Sequence, residues 1–316
     1  MRLVTLARAG RSSAGLVVGD EIVDLAAAAT AIDAARLLPR SVRAILAAGD
    51  PALDLLRHVA DDVMGRSAIA DRLRATHALV PSDGATLGPA IPDPGIVLAC
   101  GLNYRAHLAE MNTPVPDAPM AFTKSVAAIV GPGQPIVLPR EHPDMVDWEG
   151  EFCAVIGWPC HRISASEALD HVAGYTLIND VSARDWVAPI FKATGIMGPI
   201  HAWEHNVLGK QFPTFCPMGP ALVTKDEIAD PERVRLTTRL NGEVMQSAST
   251  DDLVFGVARV IEYFSRFYAF RPGDVISTGS PAGVGYGRKP QRFMRAGDVI
   301  EVHAEAIGTL ANPIAA

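Results

Sequence analysis

Three acidic residues in two separate runs could bind a hard metal ion. Glu149 and Glu151 stand immediately before the apolar run 152–156. Asp180 follows the strand-like residues 173–177. If residues 152–156 form a strand, the alternation of side chains puts Glu149 and Glu151 on one face, near enough to share an ion. Three oxygen ligands suit Mg²⁺ or Mn²⁺ better than zinc, which prefers histidine or cysteine. A solvated strand end is the alternative, because acid-x-acid pairs arise by chance in a chain with 35 acidic residues.

Cationic side chains would have to accompany such an ion. Three carboxylates around a divalent ion leave a net charge of about −1, which repels an anionic substrate. The residues that could offset this charge are Lys124, Arg184 and Lys210.

A histidine and a glutamate could form a proton-transfer pair. Gly101–Asn103 end the strand-like run 96–100, and a short helix is expected to begin at Tyr104. His107 and Glu110 then lie at positions i and i+3 on one helix face. A carboxylate beside an imidazole fixes its tautomer and raises its basicity, as a general base requires. An ordinary ion pair on a helix surface is the alternative.

A run of small residues, 278–285, could bind an anion. It follows the strand-like residues 275–277, and its backbone amides could cradle a carboxylate or phosphate. It lacks the Gly-Lys-Ser/Thr of a Walker loop and is not a dinucleotide GxGxxG opening a helix. A plain glycine turn is the alternative.

Composition narrows the class of protein. The 316 residues carry 28 Lys+Arg and 35 Asp+Glu, a formal charge of −7, with no basic run to bind nucleic acid. The first residues lack the apolar core of a secretory signal, and no stretch is long and apolar enough for a membrane span. The four cysteines include no CxxC pair, which favours reduced thiols in a cytoplasm over a disulfide scaffold or zinc ribbon.

The chain divides into three parts by composition. Residues 1–80 read as a small α/β N-terminal domain, and the proline-rich residues 81–94 as a linker. Residues 95–316 are dominated by short strand-like runs, so that the whole is α+β and β-rich. One helix is expected to interrupt them, capped by Asp251-Asp252 and running from Leu253 to about Phe267.

Taken together and in order, seven motifs resemble the fumarylacetoacetate hydrolase family. They are residues 101–104 with His107 and Glu110, 122–124, 147–151, 179–185, 209–220, Asn241-Gly242 and 278–285. The likeness spans residues 92–313, and the leading domain resembles the variable N-terminal domain of many bacterial members. The family implies a mixed β-sandwich roll as the catalytic domain, usually assembled as a homodimer.

The resemblance also implies roles for single residues. Glu149, Glu151 and Asp180 would bind Mg²⁺ or Mn²⁺, and His107 with Glu110 would act as the base on a segment that closes over substrate. Lys210 would donate to a substrate oxygen. The residues implied to bind substrate are Tyr104, Lys124, Arg184, Thr278 and Gly279. For Arg184, an ion pair with Asp185 is an equal interpretation.

The implied reaction is hydrolysis of a C–C bond in an acylpyruvate-type oxo-acid. Decarboxylation, isomerisation or dehydration through the same stabilised enolate is the alternative. A phosphoryl-transfer or nuclease site would need a basic surface that this acidic chain lacks, and a non-catalytic binding protein would not need the His107–Glu110 pair.

Two departures from the family make the substrate the least transferable inference. Val187 stands where members often carry Gln, and the stretch 187–208 is longer than usual. We expect this stretch to shape the pocket, with Trp203 and Met197 as walls and Lys192 or a histidine binding a second carboxylate. A dimer contact and a second metal site at His201 and His205 are the alternatives.

Overall fold

The computed structural model describes residues 1–8, 10–187, 195 and 197–316. The leading residues form strands β1 (Arg2–Arg8), β2 (Arg11–Val18), β3 (Glu21–Asp24) and β4 (Leu79–Pro81). Between β3 and β4 come the helices α1 (Leu25–Ala28), α2 (Asp33–Leu37), α3 (Val42–Ala47), α4 (Asp50–Gly65) and α5 (Ser67–Ala75).

The remainder of the chain is built mainly from strands. They are β5 (Val97–Gly101), β6 (Met120–Lys124), β7 (Ile129–Val130), β8 (Ile136–Val137), β9 (Val146–Asp147), β10 (Gly150–Ile156), β11 (Val172–Asn179), β12 (Ser182–Ala183), β13 (Cys216–Thr224), β14 (Arg235–Leu240), β15 (Glu243–Ser249), β16 (Val275–Ser277), β17 (Val299–Ala304) and β18 (Gly308–Ala315). The helices are α6 (Arg105–Glu110), α7 (Ala165–Ala168), α8 (Arg184–Val187), α9 (Met197–Leu208) and α10 (Val257–Ser265).

A large mixed sheet and a smaller one organise the described part of the chain. The large sheet has the strand order β4-β3-β2-β1-β13-β11-β10-β16-β5-β6, with β7 added beside β13. The smaller sheet has the order β15-β14-β17-β18-β8, and β9 pairs with β12 alone. This strand-rich arrangement confirms the predicted β-rich α+β class. Among the described residues, no helix is both long and apolar enough to cross a membrane.

The leading strands extend the large sheet. β1 pairs antiparallel with β13 through Arg2↔Val223 and Leu3↔Leu222. The strands β1–β4 therefore continue the same sheet that the C-terminal part of the chain forms. Residues 82–94, all of them described, connect β4 to β5 without forming a strand or helix. The domain limits at residues 80 and 95 stay a prediction.

Strand β10 lies between two hydrophobic cores, which explains its continuous apolar sequence. Cys153 and Val155 point into the core beneath helices α1–α5. Phe152 and Ala154 point into the core beneath α10 and the smaller sheet. Because both faces are covered, all seven residues of β10 are buried. The strand therefore holds Glu151, and Glu149 just before it, in a rigid and dry position.

The predicted helix at Leu253–Phe267 is shorter than expected. It begins at Val257 after Gly256 and ends at Ser265, and Asp251 and Asp252 lie in a separate 3₁₀ turn. Leu253 forms a β-bridge with Tyr104. This long-range pairing removes Leu253 from the helix and joins the segment before α10 to the segment before α6.

Gly150 allows the two sheets to approach beside the acidic residues. A Cβ atom there would lie 2.2 Å from Thr238 Oγ1 on β14 and 3.0 Å from Val302 Cγ1 on β17. We expect Gly150→Ala to lower the free energy of unfolding by about 1–3 kcal/mol, measured by urea denaturation, because the added methyl overpacks this contact. Gly65→Ala is the control, since nothing lies within 4 Å of its Cβ position. Equal stabilities of the two variants would contradict the close contact.

Candidate active site

The antiparallel pairing of β10 with β11 brings the three predicted metal ligands together. Gly150 pairs with Asn179, so Glu149 and Glu151 flank the strand end that Asp180 follows. One carboxylate oxygen from each of Glu149, Glu151 and Asp180 lies within 4.8 Å of the others, and all three residues are buried. We call these three residues the carboxylate triad. Among the described residues, no other group of three potential ligands occurs, so His201 and His205 belong to no such group.

The carboxylate triad fits a hard divalent ion. Glu151 Oε2 accepts a hydrogen bond from the Ser277 hydroxyl, whereas the buried Oε1 has no partner among the described residues. Burial, followed by the charges of Asp180 and Glu149, raises the pKa of Glu151 well above its usual range. A cation at this position would use the unpaired oxygen and offset the crowded negative charge. The all-oxygen donor set matches Mg²⁺ or Mn²⁺.

Two lysines lie against the triad. Lys210 Nζ donates to Glu149 Oε2 at 2.6 Å, to Asp180 Oδ2 at 2.7 Å and to Ser182 Oγ at 2.8 Å. Burial alone would lower the pKa of Lys210, but Asp180 and Glu149 outweigh it and raise the value. Lys124 lies beneath Asp180 and donates to its Oδ1. Lys210 is therefore held as an ammonium ion by Glu149 and Asp180, and Lys124 pairs with Asp180 from beneath.

Arg184 completes the cationic set beside the triad, and of its two interpretations the ion pair with Asp185 does not form. Its Nε donates to Asp147 Oδ2 at 3.0 Å and its Nη2 donates to Glu149 Oε1, whereas Asp185 lies 3.8 Å from His142. The proposed ion pair between Arg184 and Asp185 is therefore replaced by pairs with Asp147 and Glu149. Burial would raise the pKa of Glu149, but Lys210 and Arg184 outweigh it and lower the value to about 2.

The charges of the cluster suit an anionic substrate once a divalent ion is bound. Four buried carboxylates (Asp147, Glu149, Glu151 and Asp180) meet three cations (Lys124, Arg184 and Lys210). The cluster alone thus carries about one negative charge when every group is ionised, and a divalent ion makes it positive. An anion such as a 2-oxo acid is then attracted.

Helix α6 carries the predicted pair of His107 and Glu110. His107 Nδ1 lies 2.9 Å from Glu110 Oε2, as the i, i+3 spacing predicts. Asp252 Oδ2 accepts from the Ala106 amide at 3.0 Å and ties the start of α6 to the turn before α10. The contact with Glu110 engages Nδ1, so Nε2 is the ring nitrogen that this contact leaves open.

A cavity of about 460 Å³ joins these groups. Its polar wall contains the imidazole, triad members and cations, namely His107, Glu149, Asp180, Arg184 and Lys210. The rest of its wall is largely apolar and includes Met111, Met120, Phe122, Pro199, Ala202 and Trp203. The cavity therefore offers charged groups for a carboxylate and apolar surface for the rest of a substrate.

Four residues implied to bind substrate do not line this cavity. Lys124 is buried beneath Asp180. The Tyr104 side chain is fully buried, and burial raises its pKa. The Thr278 hydroxyl donates a hydrogen bond to the Phe152 carbonyl oxygen at 2.9 Å. A Cβ atom placed on Gly279 would lie 3.2 Å from the Cys100 carbonyl oxygen, so Gly279 is closely packed. The structure thus gives them supporting positions instead.

The small-residue loop binds the chain's own carboxylates. The Gly283 amide donates to Glu110 Oε1 at 3.0 Å. The amides of Gly285 and Tyr286 donate to Asp147 at 2.6 and 3.1 Å. At these amides the loop therefore holds Glu110 and Asp147, and the binding of a ligand carboxylate or phosphate by the loop stays a prediction.

Two residues that sequence reasoning missed follow from this arrangement. Asp147 is fully buried between the loop and Arg184, and burial raises its pKa. Ser280 lines the cavity and accepts a hydrogen bond from Gln246 at 2.9 Å. Asp147 stood in the same acidic run as Glu149 and could have been singled out, whereas nothing in the sequence marked Ser280 among the loop's small residues.

The long stretch 187–208 contributes part of the apolar wall through α9. Trp203 lines the cavity and packs edge-on against Phe122, with ring centroids 6.4 Å apart. Met197 is 52% exposed and does not line the cavity, in contrast to its predicted role. His201 lies 3.5 Å from Glu204 on the surface, and His205 stacks on Trp186. Lys192 lies outside the described residues.

Comparisons with known proteins identify relatives of this chain. It is 40% identical over 277 residues to "Oxaloacetate tautomerase fahd2, mitochondrial" from Xenopus laevis, covering 88% of this chain and 79% of the relative. It is 35% identical over 323 residues to "Oxaloacetate tautomerase YisK" from Bacillus subtilis, covering 99% and 100%. A solved structure of maleylpyruvate hydrolase from Sphingobium sp. SYK-6, in complex with manganese (II) ion and pyruvate, matches with a TM-score of 0.68 and 27% identity, covering 100% and 99%.

A family model agrees with these relatives. The model described as fumarylacetoacetate (FAA) hydrolase C-terminal matches residues 96–315, more than two thirds of the chain. This range includes the carboxylate triad, the His107–Glu110 pair and the small-residue loop. The chain belongs to the fumarylacetoacetate hydrolase family.

Proposed function

We propose that the protein catalyses enol–keto tautomerisation of a small 2-oxo dicarboxylic acid of the oxaloacetate type, with Mg²⁺ or Mn²⁺ as cofactor. One observation carries the proposal: His107 lines the same cavity as the carboxylates of Glu149 and Asp180 and the ammonium of Lys210. Two relatives are oxaloacetate tautomerases, so we place tautomerisation ahead of the C–C bond hydrolysis that the family resemblance favoured.

The residues of the cavity can divide the reaction between them. A divalent ion held by the carboxylate triad would polarise the 2-oxo group and acidify the neighbouring C3 protons. His107, oriented by Glu110, takes a proton from C3 of the keto form and delivers one to C3 in the reverse direction. The Lys210 ammonium, whose three N–H groups are bonded to Glu149, Asp180 and Ser182, would stabilise by its charge the oxygen that becomes negative in the enolate. The net change is the movement of one proton between C3 and the oxygen.

Hydrolysis of an acylpyruvate is the second candidate. The apolar wall of Met111, Met120, Phe122 and Trp203 suits an acyl group better than a second carboxylate. A manganese-bound maleylpyruvate hydrolase shares the fold. In this reaction, His107 would deprotonate the water that attacks the distal carbonyl.

A substrate panel separates the candidates. Purified protein with Mg²⁺ or Mn²⁺ is mixed with freshly dissolved enol-oxaloacetate, and the loss of enol absorbance is followed against the uncatalysed rate. Pyruvate formation is assayed in parallel to detect decarboxylation, and a series of acylpyruvates is assayed for cleavage. Acceleration of enol loss that is absent in His107→Ala supports the proposal. Cleavage of acylpyruvates without enol–keto acceleration contradicts it and favours the hydrolase.

The assembly is also a proposal. We infer a homodimer from family membership, and sedimentation velocity of the purified protein measures the assembly directly. A single monomeric species at micromolar concentration would contradict it.

Trp203 should control substrate size. We expect Trp203→Ala to change the ratio of kcat/KM between long and short acyl or 3-alkyl substrates by about 10-fold or more, because the indole forms the apolar wall. Metal affinity should not change. Met197→Ala is the matched control on the same helix, since its side chain is exposed and outside the cavity. An unchanged preference together with loss of the dimer would place α9 at the subunit interface instead.

A further inference from the structure

The indole of Trp148 makes a contact that the proposed reaction does not use. Trp148 is fully buried, and its Nε1–H donates to the Gly283 carbonyl at 3.1 Å. The amide of the same residue, Gly283, donates to Glu110 Oε1 at 3.0 Å. Gly283 is thus held on one side by Trp148, and on the other side it holds the carboxylate that pairs with His107.

Asp147 fixes the next part of the same segment. Its carboxylate accepts the amides of Gly285 at 2.6 Å and Tyr286 at 3.1 Å. Because Asp147 and Trp148 are consecutive residues, they hold the segment Gly283–Gly287 at two neighbouring points. The segment cannot shift along the chain direction without breaking one of these bonds.

The glycines of this segment are explained by close approach. A Cβ on Gly283, whose φ is +103°, would lie 2.1 Å from the Met245 carbonyl oxygen. A Cβ on Gly287 would lie 2.7 Å from Glu110 Cδ. The segment is therefore packed directly against Glu110, and small displacements of it displace the carboxylate.

We propose that Trp148 is a positioning residue for the His107–Glu110 pair, acting through Gly283. A carboxylate with one oxygen held by the Gly283 amide has its other oxygen aimed at His107 Nδ1, which fixes the direction of Nε2 toward the cavity. Loss of the indole N–H releases the Gly283 carbonyl, so that Gly283 can shift and Glu110 can rotate. The kinetic consequence rests on the proposed function, whereas the structural link does not.

A first experiment tests the link without any substrate. Hydrogen–deuterium exchange of peptides covering residues 278–288 is compared in the wild type, Trp148→Phe and Trp158→Phe. Trp158 is the matched control, because its ring packs under Lys225 Nζ at 5.3 Å, beyond the far end of β10 from the triad. Faster exchange at Gly283 in Trp148→Phe alone is the expected result. Unchanged exchange overturns the proposal, even if the wild type proves inactive in the tautomerase assay.

A second experiment uses the activity of the full-length, metal-loaded enzyme. We expect Trp148→Phe to lower kcat by about 10-fold or more while KM and metal affinity stay unchanged. In a Glu110→Ala background, the same substitution should add no further loss, because the residue through which Trp148 acts is gone. Additive losses, or a parallel loss of metal affinity, would overturn the proposal.

If Trp148→Phe does not fold, Gly287→Ala tests the second half of the link, in which this segment positions Glu110. Its added methyl group would push directly on Glu110. We expect a similar loss of kcat that disappears in the Glu110→Ala background, where the methyl group has room. A loss of equal size in both backgrounds would overturn the role of Glu110 as the intermediary.

Discussion

Replacing His107 by alanine should lower kcat by about 10²-fold or more, the usual contribution of a general base or acid. His107 is the imidazole that lines the cavity, and Glu110 holds its Nδ1 at 2.9 Å, so no other described residue offers an oriented base of this kind there. Metal affinity should be almost unchanged, because the imidazole does not belong to the carboxylate triad. The measurement is steady-state tautomerase kinetics alongside Mn²⁺ binding by calorimetry.

Two companion variants sharpen this result. Glu110→Gln should give a milder loss, since the amide still occupies the position but no longer supports the developing imidazolium. His161→Ala is the control, because His161 is exposed and its one side-chain hydrogen bond among the described residues is to the Tyr268 carbonyl at 3.4 Å. Wild-type rates in both His107→Ala and Glu110→Gln would show that the pair is an ordinary helix-surface contact and that the proton moves elsewhere.

Removal of the divalent ion should abolish turnover. Chelation is expected to eliminate activity, and Mg²⁺ or Mn²⁺ should restore it, whereas a soft ion should not. The physical reason is the all-oxygen triad, whose crowded charges leave Glu151 Oε1 unpaired. Full turnover after exhaustive chelation would exclude a metal role in the reaction.

Substitutions within the triad test where the ion binds. Glu151→Gln is the most informative substitution, because the Glu151 carboxylate makes no ion pair among the described residues. Its replacement therefore leaves no buried lysine without a partner. We expect metal affinity and activity to be lost while the fold is retained by circular dichroism. Asp180→Ala should also lose the ion, but with lower stability, since Lys124 and Lys210 would remain buried without a partner. Glu243→Ala, at an exposed pair with Arg292, is the control.

Groups that lie close in the sequence were largely predictable. The i, i+3 spacing of His107 and Glu110 and the alternation of Glu149 and Glu151 follow from the fixed periods of helix and strand. The strand at residues 152–156 was readable from its continuous apolar composition, which a strand buried on both faces requires. Each of these predictions depends on backbone geometry within a few residues.

Groups distant in the sequence were not predictable in the same way. For Arg184 the sequence left an ion pair with Asp185 open as an equal interpretation, and the side chain reaches Asp147 and Glu149 because β9 and β12 pair through Ser182↔Asp147. Lys124 was expected to contact substrate but lies under Asp180, since β6 is the edge strand of the large sheet and its last residue points inward. The helix before Pro272 lost its first turn to the bridge between Leu253 and Tyr104.

The sequence by itself therefore determined the chemistry that is available to this protein: an oxygen-only ligand set, an imidazole with its carboxylate, and the strand and helix that carry them. The tertiary structure alone decided which groups face the cavity and which support them. The small-residue loop shows why, because its free amides were visible in the sequence, yet their partners Glu110 and Asp147 lie 173 and 138 residues away. Such pairings depend on the order of strands in the large sheet, where β16 lies between β5 and β10, and no local period records that order.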